Sequence, residues 1–412
     1  MNPLRTLKSL KPSVRRNLLN LFLVALLFWM SITALLPTLP TYIVEMGGTK
    51  QQVGIVMGSF AIGLLLSRTW LGRIADHRSR KIVVLIGTLV AMSAPLGYLL
   101  LDSIPGLMLI RAYHGISIAA FTTGYSSLVV DLSPVKQRGE IIGYMTLGMP
   151  LGMAIGPALG GFIQADMGDF PLFLVSGVLS FFAFLLTLSV KDSKQQHKSA
   201  ETAIVPLNLT QLLTRRGIGV LTFVLFLIGL VFGNLAAFVP LFIQEELQGF
   251  NVGLFYTIIA IASFSARIGV GGISDIYGRG LFISASLCCY IVSMTFLTIA
   301  DSPRSLILAA IFEGAGGGVL IPMVIALMSD RCHSWERGRV FALCIGGFDL
   351  GIALAGPILG FFAEPLGYRG LFGISIVLSV LALLSFIFFC NKNLRNSYRF
   401  AFGQAEDLYA LD

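Results

Sequence analysis

Charge is scarce in this chain. Only 12% of its 412 residues are Asp, Glu, Lys or Arg, while 56% are hydrophobic and the mean hydropathy is +0.85. A soluble domain carries about 25% charged residues. This much apolar surface exceeds what a globule of this size buries, so lipid must solvate most of it. Cysteine is also sparse. The five cysteines have no metal-ligand spacing. Cys288 and Cys289 are adjacent in an apolar run, face different directions on a helix and read as packing residues. A glycine-rich phosphate loop with its lysine is missing: Gly314, Gly316, Gly317 and Gly318 lie inside an apolar segment without one. No grouping of serine, histidine and acid suggests a hydrolase. The chain therefore reads as a non-enzyme, with no cofactor and no metal expected. Its net charge of +8 would suggest nucleic acid if it clustered on a soluble surface. The positive residues instead sit in short connections between apolar segments, so topology accounts for them and no nucleic-acid partner is expected.

What is present is a series of twelve apolar segments, near residues 18–43, 52–73, 81–101, 106–131, 139–164, 170–190, 217–244, 252–273, 281–300, 304–329, 339–363 and 369–390. A helix needs about 20 residues to cross a bilayer core. The first segment is too long for a signal-peptide core and has no small-residue cleavage site behind it, so it reads as a retained span. An inside N-terminus places 23 of the 29 Lys and Arg on the cytoplasmic side, the other six being Lys50, Arg68, Arg111, Arg267, Arg304 and Arg369. The expected fold is an all-α integral membrane protein of twelve transmembrane helices in two pseudo-symmetric six-helix halves. Residues 1–190 form the first half and 217–390 the second. Residues 191–216 form a cytoplasmic linker and 391–412 a cytoplasmic tail.

The halves repeat. At an offset of 199, Arg68 meets Arg267, Asp76 meets Asp275, Asp131 meets Asp330, and Arg138-Gly139 meets Arg337-Gly338. At 200, Gly156-Pro157 meets Gly356-Pro357 and Gly160 meets Gly360. Apolar segments match one another in hydropathy by chance, but rare charged residues do not. Parallel repeats of this kind build a substrate site at the bilayer midplane and rock around it. The most strongly marked stretch is 72–81, G-R-I-A-D-H-R-S-R-K, a short basic connection between spans 2 and 3 with one acid, Asp76. Its copy at 271–280 is G-G-I-S-D-I-Y-G-R-G.

These motifs resemble those of the major facilitator superfamily, and within it the twelve-span drug:proton antiporter type, over residues 18–390. The 72–81 stretch is similar to the family's G-x-x-x-D-R-x-G-R-R, departing at His77 and Ser79. Residues 109–120, L-I-R-A-Y-H-G-I-S-I-A-A, resemble its R-x-x-Q-G pattern, with Arg111 and Gly115 matching and His114 in the glutamine position. Gly143, Gly152, Gly156-Pro157 and Gly160-Gly161 resemble the pattern that the family associates with antiport.

Three groups of residues are candidates. Gly72, Arg73, Asp76, Arg80 and Asp131, with Gly271, Asp275, Arg279 and Asp330 in the repeat, form an expected cytoplasmic gate. In it Asp76, at the end of the loop, faces the next helix N-terminus, and the charge cluster latches the cytoplasmic ends in the outward-open state and breaks when the protein opens inward; the resemblance implies the same role. Gly148, Gly152, Gly156 and Gly160 share a helix face that admits close packing, and Pro157 favours a bend. With Gly356, Pro357 and Gly360 they make a hinge, a seal or a packing seam. The intramembrane ionisable groups are functional candidates by default. Arg111 and His114 lie one turn apart, and His114 corresponds to Glu313 at offset 199. The resemblance implies that these three face a central cavity. Glu313 is then the proton carrier, tuned by Arg111 and by His114, whose side chain titrates near neutral pH. Asp349 is a second buried acid and Asn234 a polar cavity group.

The reading is a secondary transporter of the inner membrane that exports an amphipathic or drug-like compound by alternating access, with a proton gradient as driving force. It works as a monomer whose partners are the substrate and the bilayer. Uptake of a polar metabolite such as a sugar or glycoside is the alternative. A transporter-like sensor that moves no solute is a third reading.

Overall fold

Lipid offers no partner to a bare backbone N–H or C=O, so each apolar segment must satisfy its own as a helix. The computed structural model describes residues 10–134, 138–191, 213–270, 273–333 and 336–411. It runs α1 (Pro12–Ala34), α2 (Leu39–Glu45), α3 (Lys50–His77), α4 (Arg80–Leu100), α5 (Ile104–Leu132), α6 (Arg138–Met145), α7 (Gly148–Met167) and α8 (Asp169–Ser189). Then follow α9 (Arg216–Glu246), α10 (Val252–Val270), α11 (Ser274–Tyr277), α12 (Arg279–Thr298), α13 (Pro303–Asp330), α14 (Arg337–Phe389) and α15 (Leu394–Ala401). Among the described residues eleven helices are long and apolar enough to cross a membrane. The longest, α14, is two helices joined at Gly367, whose φ of +64° and ψ of 178° interrupt it. Counted so, the spans number twelve, as the hydropathy implies.

Three boundaries differ from the sequence reading. The first span breaks at residues 35–38, where Pro37 cannot continue the helical ladder, and resumes as α2 with Pro40 in its first turn. The fifth span is also broken, between α6 and α7. The connection read across residues 72–81 is mostly helix. α3 runs through Asp76 to His77, and only Arg78 and Ser79 lie between it and α4. Ser79 ends the connection because its Oγ accepts from the Ile82 N–H at 3.2 Å, capping α4. Asp76 is thus in the last turn of a helix and not at a loop end.

The described residues form two compact units, one from those within 10–48, 55–191 and 251–253, the other from those within 49–54, 213–250 and 254–411. Residues 192–212 of the expected linker lie outside the described residues. In the first unit α1 packs on α7 and α8, and α4 on α5 and α8. Phe28, Phe121 and Tyr125 stack at its centre, with centroid distances of 3.8 and 5.0 Å. In the second unit α9 packs on α14, and α12 on α13 and α14.

The repeat extends to packing. A Cβ added at Gly115 would strike the carbonyl of Phe60, and one at Gly314 that of Ile259, each partner again 199 residues apart. Gly152 sits against Leu26 and Met30 of α1, and Gly351 against Phe226 and Leu230 of α9. The same close crossings therefore hold each unit together.

Candidate functional site

Glu313 lies mid-way along α13 and is 4% exposed. Its surroundings are set by glycines. Gly314, Gly316 and Gly318 press against backbone carbonyls of Ile259, Ser286 and Ser263, drawing α13 onto α10 and α12. Gly317 does something else. A Cβ there would come within 3.1 Å of the Tyr290 hydroxyl and 3.8 Å of Glu313 Oε1, so its absence leaves room between phenol and carboxyl. Tyr256 from α10 is the second phenol within electrostatic reach of Glu313. Glu313 Oε2 and the Tyr256 hydroxyl are both buried without a hydrogen-bond partner among the described residues. A buried polar atom without a partner is costly. A carboxyl kept in that condition is suited to gaining and losing a proton or to meeting a polar ligand.

The first unit carries a related cluster. His114 is fully buried in α5, and its Nδ1 lies 3.2 Å from the Tyr98 hydroxyl of α4. Arg111 is buried, with its guanidinium 4.5 Å from the Phe60 ring centroid, a cation–π contact. Arg111 Nε and His114 Nε2 have no hydrogen-bond partner among the described residues. Each unit thus sets the ionisable residue of its fourth helix beside a tyrosine from the third. Nothing in the sequence signalled the three tyrosines, because tyrosine in an apolar helix is common and the pairing depends on helix rotation.

At the basic end of each unit stands an ion pair. Arg80 pairs with Asp131 and also donates from Nη1 to the Ser127 carbonyl at 3.0 Å. Arg279 pairs with Asp330 at 2.5 Å. The two pairs are the same pair 199 residues apart. Gly72 is half-buried with open space where a Cβ would be, and Arg73 is exposed. The side chains of Asp76 and Asp275, and the whole of Gly271, lie outside the described residues.

Asn234 is fully buried where α9 packs on α14, donating from Nδ2 to the Leu371 carbonyl at 3.1 Å and to Ser375 Oγ at 2.8 Å. Its NH2 group thus ties the two helices, while its Oδ1 is buried without a hydrogen-bond partner among the described residues. Asp349 is half-buried on α14. Gly152, Gly156 and Gly160 all face α1, where added Cβ atoms would strike Trp29, Thr33 and Ala34. α7 runs unbroken through Pro157, and α14 through Pro357. Gly356 meets the backbone of Gly54.

A charged cluster in the second unit escaped the sequence reading. Lys50 Nζ is 3.1 Å from Glu245 Oε2 and 3.9 Å from the Tyr368 ring centroid, while the Tyr368 hydroxyl donates to Glu245 Oε1. Arg369 pairs with Glu246 at 3.0 Å and donates to the carbonyls of Thr298 and Ala300, closing the end of α12. Among the described residues no group of histidine, cysteine and acids could hold a metal.

The family model described as Major Facilitator Superfamily matches residues 21–282 and, in an overlapping second match, 221–404. The staphylopine export protein of Staphylococcus aureus is 24% identical over 384 residues, covering 90% of this chain and 95% of that protein. The quinolone resistance protein NorA of the same organism is 25% identical, covering 87% and 89%. Among solved structures, the nucleoside transporter NupG superposes with a TM-score of 0.71 at 17% identity, over 90% of this chain and 99% of that one.

Proposed function

The chain belongs to the Major Facilitator Superfamily and is a multi-pass membrane transporter, and from that premise we propose that it exports a small amphipathic molecule in exchange for protons. Glu313 carries this reading. It is a buried carboxyl flanked by two phenols, with one oxygen left unpartnered and no cation bonded to it among the described residues. Such an acid is held where a proton can be taken up on one side of the membrane and given up on the other. Arg111 and His114 form the corresponding polar cluster of the first unit and tune the exchange. Export is supported by the relatives, whose names describe an export protein and a resistance protein. The protein resides in the inner membrane, with both termini and the basic ends of the units facing the cytoplasm, in keeping with the distribution of Lys and Arg. The pairs Arg80–Asp131 and Arg279–Asp330 brace those ends.

The test is proton movement. Purified protein is reconstituted into liposomes that hold a pH dye, and lipophilic cations, amphipathic metabolites and sugars are added in turn. A pH change that needs substrate and disappears in Glu313→Gln is expected. Substrate movement without a pH change, equal in Glu313→Gln, would overturn proton exchange and leave a facilitator. No movement of any compound, with normal folding, would favour the sensor.

A further inference from the structure

Residues 391–411 are not a loose tail. Arg331, at the end of α13, has a side chain only 1% exposed and holds Asp407 bidentately, Nε to Oδ2 at 2.7 Å and Nη2 to Oδ1 at 2.9 Å. The same guanidinium donates to the carbonyls of Gly217 and Cys390. Tyr409 lies on Gly217, Leu411 N–H donates to the Asp330 carbonyl, and Asn391 ties to the backbone of Glu406 and Leu408. This anchorage fixes α15 against the ends of α12 and α14. Ser397, Phe400 and Ala401 face inward, with the Phe400 backbone against Gly280 and its ring 6.3 Å from that of Phe386.

The outer face of α15 has two stripes. Leu394 and Tyr398, four residues apart and therefore on one side, are 59% and 51% exposed, and Phe402, which caps the C-terminal end, is 41% exposed. Tyr398 and Phe402 pack against each other at a centroid distance of 4.8 Å. Arg395 and Arg399, also four apart, lie beside them and are exposed. Next to this second stripe is an open groove of about 830 Å³, lined by Arg216, Lys392, Arg395 and Arg399 together with Asn393 and Asn396. Asn393 caps α15 by accepting from Asn396 N–H at 2.8 Å. None of the four cations has an ion-pair partner among the described residues: Arg216 lies over Phe389, Lys392 over Tyr409, and Arg399 donates to the Gln404 carbonyl.

We infer that α15 is an interfacial helix whose apolar stripe enters the bilayer surface and whose adjoining groove of Arg216, Lys392, Arg395 and Arg399 takes the phosphate of an anionic phospholipid. A short amphipathic helix with arginines beside an aromatic and leucine face lies in the headgroup plane, drawn by apolar burial and by anionic lipid together. Two observations commit the occupant to lipid. Phe388 and Phe389, in the last turn of α14 and only a few residues before α15, are exposed apolar side chains as well. The groove's charge is of one sign, complementary to a phosphodiester.

The test uses the full-length protein. In native mass spectrometry, micelles doped with phosphatidylglycerol should leave it bound in preference to phosphatidylcholine. The tightest phosphatidylglycerol should weaken at least tenfold in the triple variant Lys392→Gln/Arg395→Gln/Arg399→Gln. The charge-preserving variant Arg395→Lys/Arg399→Lys should keep most of the affinity, which separates charge from misfolding. Independently, the fluorescence that Tyr398→Trp adds to that of the parent should be quenched more by brominated phosphatidylglycerol in vesicles than by brominated phosphatidylcholine. Equal retention of both lipids, unchanged in the triple variant, would overturn the inference. So would a Tyr398→Trp variant whose fluorescence either brominated lipid quenches no more than that of the parent. Displacement of phosphatidylglycerol by an equal concentration of soluble glycerol phosphate would also overturn it, assigning the groove to a soluble anion.

Discussion

At the scale of single residues, burial decides chemistry. Cys390 follows the last turn of α14 and is fully enclosed beneath the docked C-terminal segment. Burial pushes its thiol up to about 12. A group whose folded value is raised stays protonated and neutral at pH 7, so Cys390 should resist maleimide there, since the thiolate is the nucleophile. Denaturant should restore ordinary reactivity, read by mass after labelling. Asn234 makes a different case. Its two hydrogen bonds cross from α9 to α14, so Asn234→Ala should lower stability by about 0.5–2 kcal/mol. Thermal unfolding in detergent measures this. Because its role is structural, proton coupling in the surviving protein should be unchanged.

At the scale of helices, small residues set how closely the spans approach. A Cβ at Gly160 would strike the carbonyl of Ala34, whereas one at Gly143 meets nothing within 4 Å. Overpacking against backbone costs about 1–3 kcal/mol. Replacing glycine by alanine in an unobstructed helix gains about 0.5–1 kcal/mol. Gly160→Ala should therefore lower the melting temperature, and Gly143→Ala should hold or raise it. The glycine run of α7 was visible as a face in the sequence, since a spacing of four is a local property. Its partner was not visible. That the run packs on α1 follows from the arrangement of helices far apart in the chain.

At the scale of the whole molecule, two features tie distant parts of the chain together. The pair Arg80–Asp131 recurs as Arg279–Asp330. Asp131→Asn should reduce transport in proteoliposomes, and the exchange Arg80→Asp/Asp131→Arg should recover part of it if the pair acts through its charge. Arg331–Asp407 is the other tie. Removing one member of a buried pair leaves its partner's charge uncompensated and costs about 3–5 kcal/mol. Asp407→Ala should thus unfold at a clearly lower temperature than the parent, even though it alters a residue close to the end of the sequence. That segment was expected as a bare tail because its composition is polar and its hydropathy signals nothing.

The sequence by itself determined the fold class, the twelve spans and the offset of 199 residues. Hydropathy and rare charged residues are properties of the chain that no packing arrangement can undo in lipid. It also singled out Glu313, His114 and Arg111, since an ionisable group inside a span is conspicuous anywhere. Only the tertiary structure decided what surrounds them. Tyr256, Tyr290 and Tyr98 are brought in by helix rotation and by glycines that let backbones meet. Asn234 is turned into an interface by the same rotation. The docking of Asp407 under Arg331 rests on a contact between residues 76 positions apart, with no periodicity to announce it.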